Sequence, residues 1–84
     1  MPDRLSVTLE NTPDALARIV QLCRGRGYPI EELTFGGTGH PAVARLTVVV
    51  GAGPRPVGRL VAQLDRLVGV LHAAVEPAAA LAAV

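Results

Sequence analysis

The amino-acid sequence predicts an α+β fold: a ferredoxin-like βαββαβ sandwich in which a four-stranded antiparallel sheet carries two helices on one face. Three observations predict it. Arg4 to Glu10 and Val43 to Val50 read as strands with the period of two that marks half-buried sheet. Each is followed by apolar residues at helical spacing and then by a further strand-like run. The two strand–helix–strand halves meet at a short Gly-rich link, which makes the middle strands a hairpin.

In the first strand Leu5, Val7 and Leu9 fall on one side, and Arg4, Ser6, Thr8 and Glu10 on the other. The helix after it opens with Thr12 as the predicted N-cap and Pro13 in the first helical position. Asp14 places a carboxylate at the positive end of the helix dipole. Leu16, Ile19, Val20 and Cys23 then recur at i, i+3, i+4 and i+7, Arg18, Gln21 and Arg24 face away, and Gly25 and Gly27 stop the helix. A second strand is expected over Glu32 to Thr38, with Leu33 and Phe35 on one face and turn chemistry from Gly36 to Pro41. The third strand puts Ala44, Leu46, Val48 and Val50 opposite Val43, Arg45, Thr47 and Val49. After the loop Gly51 to Pro56, the spacing of Val57, Leu60, Val61, Leu64, Leu67 and Val68 predicts a second helix, and Val70 to Glu76 a last strand. The expected organisation is one domain over residues 1–76 and a short Ala-rich tail over residues 77–84.

Half of the 84 residues are apolar, yet the aromatics are Tyr28 and Phe35 alone; thirteen Ala, twelve Val and eleven Leu make any core aliphatic. That content, with a net charge of +1, excludes intrinsic disorder. It also argues against nucleic acid, which calls for aromatic platforms and a basic groove, and gives no reason to expect anionic lipid. No apolar run reaches the ~18 residues of a membrane span. The first residues lack the apolar stretch of a secretory signal, so a cytoplasmic location is expected. The single Cys23 can form no internal disulfide. A chain this short buries only about 60–65% of its unfolded surface, so a protein partner is expected.

The fold alone does not decide function, and the chemistry needed for several uses of it is missing. A soft-metal carrier needs paired thiolates, and here Cys23 stands alone on an apolar helix face, as a small buried hydrophobe does. An RNA-recognition module needs aromatics on the central strands, where this chain has Ser6, Thr8, Arg45 and Thr47. An acyl-phosphate hydrolase needs a Gly-rich anion loop after the first strand, and the loop here is Glu10-Asn11-Thr12-Pro13-Asp14. His40 and His72 have no partner at metal-ligand or general-base spacing and are expected at the surface or an edge. Glu31 and Glu32 are neighbours in a strand, so they are expected on opposite faces and not as a dyad. No catalytic residue, metal site or cofactor is therefore predicted. The loop between the first strand and first helix does end in backbone N–H groups at a helix N-terminus, which can hold a carboxylate.

Arg4 to Asn11, Ala15 to Ile19 and Arg26 to Thr34, with Arg45 to Val48 and Gln63 to Val70, resemble the ACT domain. More narrowly they resemble the regulatory (small) subunit of acetolactate synthase. The resemblance runs over about residues 4–76 and implies the fold reached above. It further implies a non-catalytic homodimer that activates the large subunit, a thiamine-diphosphate enzyme of branched-chain amino-acid biosynthesis. In such proteins an amino-acid effector, often valine, lies between two domains. Carried over residue by residue, Asn11 matches the loop asparagine, and Ala15 and Leu16 match the helix start whose amides face the ligand. Pro29 and Ile30 match the start of the second strand contributed by the other subunit. Two positions depart from the pattern: Asp14 stands where the family has glycine and Pro29 where it has asparagine. A carboxylate at Asp14 repels that of a ligand, and Pro29 removes an amide and a backbone donor. The expected outcome is weak or absent valine feedback in a short, single-domain member. The alternative is a stand-alone amino-acid sensor in which Asp14 meets an ammonium or a basic side chain.

Overall fold

In the computed structural model, which describes residues 2–76, the alternating segments become strands and the periodic ones helices. The predicted tail over residues 77–84 lies outside the described residues. The order is β1 (Asp3–Glu10), α1 (Pro13–Gly25), β2 (Ile30–Gly37), β3 (Val43–Val50), α2 (Val57–Leu64) and β4 (Val70–Val75). The strands pair antiparallel in the order β2-β3-β1-β4, so β1 and β3 are central and β2 and β4 are the edges.

Period two in β1 and β3 translates directly into burial. Leu5, Val7 and Leu9 of β1 and Leu46, Val48 and Val50 of β3 are all fully buried, and Ala44 is 1% exposed. They share one core with Ala15, Ile19 and Cys23 of α1 and Leu60 and Leu64 of α2, so both helices cover the same face. Register places Ser6 opposite Thr47 and Thr8 opposite Arg45 on the other face. The shortest dimension of the molecule, 19 Å, is that of one sheet and one helix layer.

Both ends of α1 are built as its residues predict. Thr12 is extended, and its side-chain oxygen accepts from the Ala15 N–H at 3.1 Å, with Pro13 and Asp14 in the first turn. At the other end Gly27 adopts φ +82°, its N–H bonds the Arg24 carbonyl, and the Tyr28 N–H bonds the Cys23 carbonyl. This is a Schellman closure, and it drops Tyr28 into the core at 4% exposure. The Tyr28 hydroxyl then donates to the Arg55 carbonyl at 2.7 Å, tying the end of α1 to the loop before α2.

Two elements differ from the sequence expectation. β2 begins at Ile30 and not Glu32, because Ile30 pairs with Val50 across a bulge at Glu31 and the Gly51 N–H bonds the Pro29 carbonyl at 2.8 Å. α2 ends at Leu64, although apolar spacing continues through Leu67 and Val68. There the hydrogen bonds tighten to three-residue turns, Arg66 to Gln63 and Leu67 to Leu64. The Asp65 carboxylate accepts from the Ala73 N–H at 3.0 Å, turning the chain toward β4. Leu67 still packs on the core, while Val68 is 74% exposed.

Gly69 carries the contact between that turn and α1. It sits at φ +95°, and a Cβ there would lie 2.9 Å from the Ala15 Cβ. Gly69→Ala is expected to lose about 2–4 kcal/mol, from left-handed backbone strain and overpacking together. Gly36→Ala, where nothing lies within 4 Å, should stay within about 0.5 kcal/mol. Chemical denaturation of the two variants checks the contrast.

Candidate functional site

The loop from Asn11 to Leu16 is held from two sides. Glu10 N–H donates to the Gly69 carbonyl at 2.8 Å, and Asn11 N–H to the Ala42 carbonyl at 3.0 Å. The Asn11 side-chain amide donates to the Pro41 carbonyl at 3.1 Å, so its N–H face is committed to the hairpin link. At the helix start, Thr12 Oγ1 takes the Ala15 N–H and the Thr12 carbonyl takes the Leu16 N–H at 3.3 Å. Pro13 has no N–H. That leaves the Asp14 amide as the one first-turn donor without a partner among the described residues, and it lies beside Asp14's own exposed carboxylate. Ala15 is buried against Gly69, and Leu16 packs partly into the core.

Pro29 and Ile30 are nowhere near this loop. They border a shallow hollow with Arg24, Gly27 and Tyr28. Register places them at the opposite end of the sheet: Ile30 pairs with Val50 and Val50 with Asp3, whereas the loop follows Glu10, which pairs with Val43. The separation is about seven strand residues, or roughly 24 Å. One chain therefore brings Asn11, Asp14, Ala15 and Leu16 together and leaves Pro29 and Ile30 as a second, remote group. Arg24, the cation bordering the Pro29 hollow, is an addition from the structure; in the sequence it is one more residue on the polar side of α1.

The remaining polar groups play local roles. His40 is exposed in the hairpin link, and its Nδ1 accepts from the Ala42 N–H at 3.2 Å. His72 is exposed on β4, 3.7 Å from Asp65, whose carboxylate is already bonded to Ala73. Sequence reasoning missed this pair because the turn after α2 brings its partners together across seven positions. Glu31 and Glu32 do not simply alternate as strand neighbours do: the bulge interrupts the period, and both border one hollow with Pro2, Arg4 and Val49. Among the described residues no group of three or more His, Cys, Asp or Glu side chains is placed to hold a metal, and no helix is long and apolar enough to cross a membrane.

The ferredoxin-like sheet agrees with the fold that the ACT resemblance implies. Comparison with known proteins narrows the class. The family described as the AHAS small subunit-like ACT domain matches residues 5–72, and the chain belongs to that family. It is 40% identical over 67 residues to the acetolactate synthase small subunit of Mycobacterium leprae, which covers 80% of this chain and 40% of that protein. It is 40% identical over 68 residues to the acetolactate synthase isozyme 3 small subunit of Escherichia coli K12, covering 81% and 42%. The solved acetolactate synthase small subunit of Thermotoga maritima shares the fold, with a TM-score of 0.79 at 23% identity over 93% of this chain and 49% of that one. These relatives are small subunits and not catalytic chains, and this chain spans about 40% of the length of the curated ones.

Cys23, fully buried on α1, has its thiol pushed up to about 11 by burial, with a backbone hydrogen bond pulling weakly the other way. The thiol is expected to react with aromatic disulfide reagents at mild alkaline pH only as fast as the chain opens. Since the folded pKa lies above the ordinary 9.0, stability is unaffected below pH 9 and falls as the pH rises toward 11, by about 2–3 kcal/mol. Cys23→Ala should remove that component of the slope in denaturation curves taken across this range.

Proposed function

We propose that this chain is a regulatory subunit that activates an acetolactate synthase large subunit in branched-chain amino-acid biosynthesis, in the cytoplasm, acting as a homodimer with weak or absent valine feedback. The observation that carries the reading is the family match across residues 5–72, with small subunits as relatives. Residues 1–76 form the working domain in this reading, with no cofactor of their own.

The geometry supports a dimer through β2. That strand is an unpaired edge, and Leu33 and Phe35 on its helix-side face are 40% and 41% exposed because neither helix reaches over them. Antiparallel pairing of two β2 edges about a two-fold axis extends the sheet to eight strands and sets the first helices side by side, covering that apolar strip. It also reverses polarity: the partner subunit's Pro29 and Ile30 arrive at the end of the sheet that holds Asn11, Asp14, Ala15 and Leu16. The two halves of the effector site, about 24 Å apart in one chain, thus meet between chains.

That composite site is a poor receptor for a valine carboxylate. The Ala15 and Leu16 amides are already bonded, Asp14 adds a negative charge, and Pro29 offers no donor. Losing two hydrogen bonds to a charged group, at about 1.5–3 kcal/mol each, lowers affinity a hundredfold or more. A second reading rests on Asp14 itself, an exposed carboxylate with no ion pair among the described residues: a stand-alone sensor binding an ammonium or basic side chain there.

Mixing the purified chain with its cognate large subunit is expected to raise turnover and to give co-elution. Phe35→Glu should sediment as a monomer and lose the activation. Unchanged turnover with no co-elution overturns the proposal, and a thermal shift with a non-branched amino acid in that case supports the sensor. For the site, Asp14→Gly with Pro29→Asn is expected to raise valine affinity by at least tenfold in calorimetry. No gain would show that these two residues are not what weakens it.

A further inference from the structure

A second, chemically different site lies at the junction of α1, the Gly51–Pro56 loop and α2. Arg26, Arg55 and Arg59 line a cavity of about 270 Å³ whose remaining walls are Tyr28, Pro54, Leu60 and Gln63. Three arginines, all exposed, thus border one hollow with no acidic residue in its lining. None has an ion-pair partner among the described residues; the pairs formed there are Arg4 with Glu76 and His72 with Asp65.

Two further features lie on the same helix, α2. Gln63 Oε1 is buried without a hydrogen-bond partner, the one such side-chain atom among the described residues. A buried acceptor left unmade carries a desolvation penalty, which a donor on a bound molecule removes. At the other end of the same helix, α2 starts at Pro56 with no side-chain cap and no acidic residue in its first turn, so no side chain neutralises its positive end. Tyr28 ties two of the walls together. The Tyr28 hydroxyl donates to the Arg55 carbonyl at 2.7 Å with the Pro56 carbonyl 3.2 Å away, and its ring lies so close to Gly53 that a Cβ there would sit 2.5 Å away.

We infer that this cavity binds a small phosphate monoester. Its dianionic head meets guanidinium forks suited to phosphate oxygens. A hydroxyl on its body supplies the donor for Gln63, and Leu60, Pro54 and the Tyr28 ring take the apolar part. The site is separate from the effector loop, which lies across the fold beside Gly69, and it does not depend on the chain acting on acetolactate synthase.

The test is a nitrogen–proton correlation titration of the full chain with glycerol 3-phosphate, inorganic sulfate and succinate at constant ionic strength. Glycerol 3-phosphate is expected to give saturable shifts confined to the Arg26, Arg55 and Arg59 side chains and the amides at the start of α2. Sulfate, a dianion without a donor hydroxyl, should bind several-fold more weakly. Arg59→Gln, on an exposed side chain, should keep the spectrum of the folded protein and lower the affinity roughly tenfold or more. Gln63→Leu should erase the preference for glycerol 3-phosphate over sulfate. Small, unsaturating shifts spread equally over Arg45 and Arg66, and alike for all three anions, would overturn the inference. Tighter binding of succinate than of glycerol 3-phosphate would likewise overturn the phosphate assignment.

Discussion

The pairing of β1 with β3 is the constraint on which the rest of the molecule hangs. The inward residues from Leu5 to Leu9 and from Ala44 to Val50 are all buried, and two short helices cover them. The flanking strands receive what is left: β2 and β4 complete the sheet but extend past the helices, so Leu33, Phe35, Leu71 and Val75 keep much of their surface in water. A domain of this size cannot enclose a sheet on both faces and at both edges. The proposed association through β2 would follow from the same economy of residues that makes the core possible.

The central pairing also decides where the candidate effector residues lie. Eight-residue strands put the β1–α1 loop and the start of β2 at opposite ends of the sheet. No side-chain rearrangement within one chain closes a gap of about seven strand residues. A two-fold axis along the β2 edge is the simple operation that converts opposite ends into neighbours, because it reverses one sheet relative to the other. Effector binding and dimerisation through that edge would then be linked, since each needs the other to complete its contacts.

What was legible in the sequence was whatever depends on local periodicity and capping. The alternation from Arg4 to Glu10 became β1, and Thr12, Pro13 and Gly27 became the two ends of α1. The ferredoxin-like order followed from these. What was not legible depends on contacts between distant positions. The apolar spacing through Val68 suggested a longer α2, but the bond from Ala73 to Asp65 and the approach of Gly69 to Ala15 decide where the helix stops. The bulge at Glu31 has no periodic signature, and it shifts both the start of β2 and the facing of two glutamates. The candidate effector residues could be named from the resemblance, while their separation between two ends of the sheet appears only with the register. That Arg26, Arg55, Arg59 and Gln63 line one cavity likewise depends on how the loop before α2 meets the end of α1.

The two helix starts show how the same physics is spent differently within one chain. At α1 the positive end is satisfied internally: Thr12 caps it, the Leu16 amide bonds back to Thr12, and Asp14 contributes a carboxylate worth about 0.3–1 kcal/mol against the dipole. Each of those arrangements stabilises the helix and removes attraction for an incoming anion. At α2 the Arg59 amide bonds back to the Pro56 carbonyl, but no side chain caps the end, the first turn has no acid, and Arg55 and Arg59 add charge of the same sign as the helix end. That arrangement costs stability as long as the cavity holds only water, and Gln63 adds an unpaired acceptor to the cost. A helix whose start is repelled by its own side chains gains most when an anion arrives. On electrostatic grounds the proposed anion site belongs at α2, whereas the loop of α1 is bonded into the fold.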